Sequence, residues 1–321
     1  MSEENINIAT KEYADAHFGN TSETNDNLVI ATKEYVDSIP TGMVMDGTVL
    51  KGQLCNTYSA TTVGEDADGS TLIDGSHMFS NCSALASWNA ELPNLTDGTY
   101  MFYNCTGLAS WAVTLPNLTN GECMFLYCTG LASFSGDLSS LTNGDNMFFA
   151  CANLTSFSVD LPSLTNGTYM FYDCTSLTSW AVDLPSLTNG SDMFHNCTGL
   201  TSWAATLPNL TNGDNMFFGC TNLTSFSVDL PNLTNGTSMF YYCILDEASV
   251  LHILNSIPSY TSGTHMLNLG KYTNYKTSDK VAARLRTYTG GTVSTPIPAS
   301  TNYRCVDNDG NDKGWAITVQ A

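Results

Sequence analysis

The sequence predicts a β-rich solenoid of eight 23-residue coils, each adding one short strand to a parallel sheet, with a small α/β cap after them and an extended N-terminal segment carrying short helices before them. Three observations carry that reading. Cysteines fall at 82, 105, 128, 151, 174, 197, 220 and 243, always 23 apart. Glycines from Gly75 to Gly236 and Met-Phe pairs from Met78-Phe79 to Met239-Phe240 keep the same ruler without an insertion. A longer period lies on top, because "NMFFACANLTSFSVDLPSLTNGT" at 146 returns almost unchanged at 215. A fixed period of this length marks units that cannot bury their apolar face alone and do so by stacking.

Each coil divides into three parts. In "TSWAVDLP" the apolar Trp180, Val182 and Leu184 alternate with Ser179, Ala181 and Asp183, the period-2 pattern of a strand with one buried face. The proline that usually follows cannot donate to a ladder and ends the strand. "LTNG" supplies a turn, with its glycine expected at positive φ. "xxMFxxC" crosses back as a short helical or irregular arc with Met, Phe and Cys inward. Eight coils at about 4.8 Å each would build roughly 38 Å of rod.

The motif M-F-x-x-C-x-x-L-x-S-[FW]-x-x-x-L-P resembles the BspA-type leucine-rich repeat and recurs in register over 73–245. The resemblance implies a right-handed leucine-rich-repeat solenoid with a parallel sheet on one face, a role in binding and no catalysis. The cysteine column reads as buried free thiols, since cysteine is among the most buried residue types and no zinc-spaced CxxC pairs occur.

The flanks divide the chain into 1–45 (N-terminal segment), 46–72 (linker and N-terminal cap), 73–245 (solenoid) and 246–321 (C-terminal cap). "IATKEYAD" at 8 and "IATKEYVD" at 30 place Thr10 and Thr32 as N-caps of short helices carrying Tyr13 and Tyr35. These segments resemble the N-terminal parts of phage tail-fibre, baseplate and head-fibre proteins, which implies contacts to other virion proteins and a homo-oligomer, a trimer by that resemblance. Beyond Cys243, "ILDEASVLHILNSIP" reads as a helix and "THMLNLG" as a strand. "TSDKVAARLRTY" reads as a helix capped by Thr277 or Ser278, "DNDGND" as a tight hairpin turn and "GWAITVQ" as a final strand.

Charge narrows the function. Ten Lys and Arg stand against thirty Asp and Glu, a net charge of −20, and no Lys or Arg lies between Lys51 and Lys271. Such a surface repels phosphate backbones and anionic membranes, so neither nucleic acid nor membrane is an expected partner. No signal-peptide pattern or long apolar run is present; with the resemblance to phage fibre segments, this implies a virion made in the host cytoplasm as the expected location. No nucleophile elbow, zincin, P-loop or dinucleotide fingerprint occurs, and the acids recur with the repeat instead of forming one pair. No enzyme activity, cofactor or metal is expected.

Variation among the eight copies points to a surface. Three columns flank Met-Phe: the residue before it, and the first and second after it. They are rich in Tyr, Phe, His, Asn and Asp, and rings beside polar groups suit sugar or protein ligands. The candidate binding residues are Tyr100, Tyr103, Tyr127, Phe149, Tyr169, Tyr172, His195, Phe218, Tyr241 and Tyr242. The alternative is that one aromatic column packs between coils. A second column, Glu91, Asp137, Asp160, Asp183 and Asp229, reads as a solubilising edge or a cation site. The resulting expectation is a phage virion protein, of tail-fibre or head-fibre type, that binds a host-surface glycan or protein. A spacer without a ligand and a bacterial surface adhesin are the alternatives.

Overall fold

The computed structural model describes residues 72–320, apart from 264, 272–273 and 300–301, together with four short strands nearer the N-terminus. Three of these, β1 (Ile6–Ala9), β2 (Ser22–Asn25) and β3 (Leu28–Ala31), form an antiparallel sheet in the order β1-β3-β2. The predicted helices carrying Tyr13 and Tyr35 lie outside the described residues. The fourth strand, β4 (Thr62–Val63), pairs in parallel with β5 (Ser87–Trp88).

From β5 onward the coils repeat. The two-residue strands β6 (Ser110–Trp111), β7 (Ser133–Phe134), β8 (Ser156–Phe157), β9 (Ser202–Trp203) and β10 (Ser225–Phe226) stack in parallel, and Trp180 bridges to Trp203 in the coil between. The alternation in "TSWAVDLP" is seen in burial, with 180, 182 and 184 inside and 179, 181 and 183 outside, although only its centre forms a ladder. In four coils the tryptophan turns its indole N–H onto the carbonyl two residues on, as Trp180 does to Val182 at 2.8 Å. A second ladder runs through the "TNG" segment, where residues 74, 97, 120, 143, 166, 189, 212 and 235 bridge in parallel. Its side chains continue the ladder: Asn143 Nδ2 donates to Asn120 Oδ1 and Asn166 Nδ2 to Asn143 Oδ1, each at 2.9 Å.

The Met-Phe arc is neither helical nor irregular. It is a run of overlapping turns. Met170 N–H donates to Gly167 O, Tyr172 N–H to Tyr169 O and Cys174 N–H to Phe171 O. The alternate amides, those of Gly167, Tyr169, Phe171 and Asp173, donate instead to the next coil at 2.8–3.0 Å. Thr168 N–H turns back to Asn166 Oδ1; every amide from Tyr169 to Cys174 that the turns do not use stitches one coil to another.

Two sequence expectations are corrected here. The repeat glycines are not at positive φ. They are there because the next coil comes too close: a Cβ on Gly144 would meet Met170 Sδ at 2.8 Å, and on Gly167 Met193 Sδ at 2.8 Å. The cysteines are buried free thiols from Cys105 to Cys243, but Cys82 is disulfide-bonded. The thiols also do more than fill space. Cys174 Sγ donates to Phe148 O at 3.2 Å, and each member from 105 to 243 repeats that bond to the coil before it. Burial pushes these thiols far above their usual pKa, to about 12 for Cys105, so they stay protonated donors.

After the last coil, α1 (Glu247–Ser256), N-capped by Asp246, closes one ladder: Phe226 N–H donates to Ser249 Oγ at 2.8 Å. β11 (His265–Lys271) closes the other, with Gly236 N–H donating to Met266 O and Leu267 filling the place a next-coil methionine would take. α2 (Asp279–Ala283), capped by Ser278, is shorter than predicted. Leu285 leaves it to pair with Cys305, because β12 (Leu285–Thr287) and β13 (Asn302–Val306) form a sheet that the helical pattern hides. β14 (Asp312–Gln320) completes the order β11-β14-β13-β12. The turn between β13 and β14 is the predicted hairpin, with Gly310 at φ 84° and Asp307 Oδ1 accepting from the Asp309 and Asn311 amides.

Candidate ligand-binding surface

The overlapping turns dictate what can stand beside Met-Phe. The residue before Met and the second after Phe sit at positive φ in every coil, sixteen positions between 52° and 74°, fifteen of them non-glycine. That conformation brings Cβ against the carbonyl and is tolerated best by Gly, Asn and Asp. Half of the sixteen are those residues: Asn81, Asn104, Asn146, Asp173, Asp192, Asn196, Asn215 and Gly219. Their recurrence, which sequence reasoning took for ligand chemistry, therefore has a backbone cause. The signal was present in the sequence, since two columns in which half the residues are Asn, Asp or Gly carry the mark of left-handed backbone.

The same correction sharpens the tyrosines. Tyr100, Tyr127, Tyr169 and Tyr242 occupy left-handed positions at φ 53°, 61°, 52° and 68°, where a bulky side chain costs about 1 kcal/mol or more. Backbone preference does not put them there. Tyr127, Tyr169 and Tyr242 are 41%, 36% and 40% exposed, whereas the other solenoid tyrosines among the described residues are half-buried.

The column between them behaves differently. Phe149, Tyr172, His195, Phe218 and Tyr241 stack face on face, with centroids 4.6, 4.4, 4.5 and 5.1 Å apart. They are half-buried and show ring edges, because each face is covered by the next coil's ring. Tyr103 joins this stack edge-on through Tyr127 at 6.0 Å, and Tyr127 meets Phe149 at 5.7 Å. All ten candidate residues thus form one aromatic ribbon, ending where Tyr242 stands edge-on to Tyr241 at 4.4 Å. Both readings of the sequence hold in part of it: the central column packs between coils, and the left-handed tyrosines project from it.

Polar groups line the ribbon. His195 Nδ1 meets Asp192 Oδ1 at 2.8 Å. The charge of Asp192 raises Tyr169, and the hydrogen bond to Cys123 with that thiol's charge pushes Tyr100 up to about 12. Both phenols stay neutral donors at ordinary pH. The acidic column is exposed and locally employed instead: Asp137 Oδ1 accepts from Ser139 N, Asp183 Oδ1 from Thr206 N, and Asp229 meets His252 at 3.1 Å. Among the described residues no group of three or more His, Cys, Asp or Glu could hold a metal ion, and no helix is long and apolar enough to cross a membrane.

A family model describing the BspA-type leucine-rich repeat region matches residues 70–178 and 142–264, with six copies. The chain belongs to this leucine-rich repeat family. The match spans the coils, α1 and the approach to β11, so the family repeat accounts for the ladders and the Met-Phe-Cys core. Neither a curated protein nor a solved structure matches the chain.

Proposed function

We propose that this leucine-rich repeat protein is a non-catalytic attachment protein that binds a host-surface glycan or protein through its aromatic ribbon. One observation carries the reading: exposed tyrosines hold left-handed backbone positions that Asn or Asp fills at lower cost in neighbouring coils. Contact is made by the projecting rings of Tyr127, Tyr169 and Tyr242, while the stacked column supports them. Spread over several coils, and repeated in every copy of an oligomer, such contacts add by multivalency.

The setting proposed is a bacteriophage virion, on a tail or head fibre, with residues 1–45 engaging other virion proteins in a trimer. It rests on the resemblance of "ATKEYVD" to phage fibre segments. Immunogold labelling of purified particles tests the setting. The ribbon is tested with Tyr127→Asn, Tyr169→Asn and Tyr242→Asn combined, in binding to whole bacterial cells and a glycan array. Asn suits the backbone, so the variant should melt within a few degrees of the parent, by about the Tm change 1 kcal/mol produces, yet lose binding at least tenfold. A parent that binds neither cells nor glycans would favour a spacer.

A further inference from the structure

The repeat leaves a second surface unexplained, away from the ribbon. A shallow trough of about 650 Å³ runs over the last coils, lined by Ser186, Thr188, Asn209, Thr211, Asn232 and Thr234 and ending at Tyr260. Tyr260 also lines a cavity of about 620 Å³ in the C-terminal segment, walled by His265, Tyr288, Arg304, Asp312 and Trp315. Trough and cavity therefore meet at one residue.

The chemistry of the trough follows from where its protons go. Thr188, Thr211 and Thr234 each donate Oγ1–H to the threonine carbonyl one coil back, at 3.1, 2.9 and 2.9 Å. Ser186 donates to Pro162 O, Asn209 to Pro185 O and Asn232 to Pro208 O, each at 2.7 Å. Tyr260 spends its phenol proton on Leu233 O at 2.8 Å. Every hydroxyl proton in the trough is thus committed to the solenoid. What remains outward is oxygen lone pairs, with one spare amide N–H on each asparagine. A ligand lying there has to donate.

The cavity narrows the class. Arg304 Nη1 donates to Asp312 Oδ2 at 2.6 Å, and the guanidinium lies 5.4 Å from the centre of the Tyr288 ring. Tyr288 itself is 74% exposed, an open aromatic face at the mouth. The paired guanidinium and carboxylate can give a hydrogen bond to one oxygen and take one from its neighbour, the pattern of a vicinal diol. A cationic donor would face Arg304, and an anion would face a chain of net charge −20. A neutral polyol satisfies both ends.

We propose that trough and cavity form one saccharide site, in which a neutral sugar sits against Tyr288, Arg304 and Asp312 and further sugar units donate hydroxyl protons along the Thr–Asn trough. This site is separate from the ribbon and stands or falls without it. The test is ligand-observed NMR and calorimetry on the full chain with maltose, cellobiose, lactose and N,N′-diacetylchitobiose, and with sialyllactose as the anionic comparator. At least one neutral disaccharide should bind saturably, in the roughly millimolar range of a small open site. Tyr288→Ala and Arg304→Ala should each weaken it about tenfold or more, since both side chains reach into the cavity from exposed positions. In the ribbon variant the part of the binding that depends on Tyr288 should persist. Absence of saturable binding by any neutral disaccharide, stronger binding of sialyllactose, or an unchanged Tyr288→Ala would overturn the proposal.

Discussion

Two sides of one arc obey different rules. On the inner side, Met170, Phe171 and Cys174 are fully buried; on the outer side, Tyr169, Tyr172 and Asp173 alternate with them along the same residues. Phe171 stacks on Phe148 and Phe194 at 5.3 and 5.4 Å and meets Trp180 edge-on at 5.0 Å. Phenylalanine fills that slot in all eight coils, each time fully buried. Of the outer positions, Tyr169 and Asp173 are constrained in φ and Tyr172 by its ring stack, and none of them is enclosed by the core. Identity on the inside is set by packing, and identity on the outside is left to selection.

The hardest blow to the inner side is Phe171→Ala. It removes a ring shared by four aromatic neighbours at mid-rod, and about 3–5 kcal/mol should be lost, read as a lower denaturation midpoint. Since each coil contacts only its neighbours, the loss should exceed that of the same change at Phe79, which has a stacked ring on one side. Equal losses at the two positions would mean that the coils do not act as a stack. A smaller effect comes from Gly167→Ala. The added Cβ meets Met193 Sδ at 2.8 Å inside a packed core, and about 1–3 kcal/mol should go. Were positive φ the reason for this glycine, Asn would be the mildest replacement. Because contact is the reason, Gly167→Asn should be worse than alanine.

These cases show what a single sequence discloses. The coil length, the buried columns and the alternation in "TSWAVDLP" were all legible, because eight copies average away local accident. The location of glycine was legible too, but its cause was not: a close approach between coils leaves the same letter as a turn. The aromatic columns were found, yet not which rings turn faces or edges outward, since ring stacking is set between coils and not along the chain. Around 285–287 helical spacing misled, as strand pairing with 302–306 across the C-terminal sheet overrode it. Tyr260, Tyr288 and Arg304 gave no signal at all, because they converge only once the last coil is capped.

The outer side can also be probed through pH, with the smallest effect. Where Thr168 donates Oγ1–H to Asn166 Oδ1 at 2.6 Å, the equivalent Asp214 has no proton to give, and its Oδ1 is buried without a partner. Burial raises its pKa, and the charge of Asp192 raises it further. The folded chain therefore holds the Asp214 proton more tightly than the unfolded chain does. Stability from this group is present below the usual aspartate range and is lost as pH rises through the raised pKa. Asp214→Asn removes the ionisation, so it should match the parent near pH 3 and exceed it at neutral pH, by less than about 1 kcal/mol given the group's partial exposure. Thermal melts of parent and variant across that range decide it. Parallel curves would mean that Asp214 is solvated as an ordinary surface acid, and that the outer face carries no electrostatic cost for selection to act against.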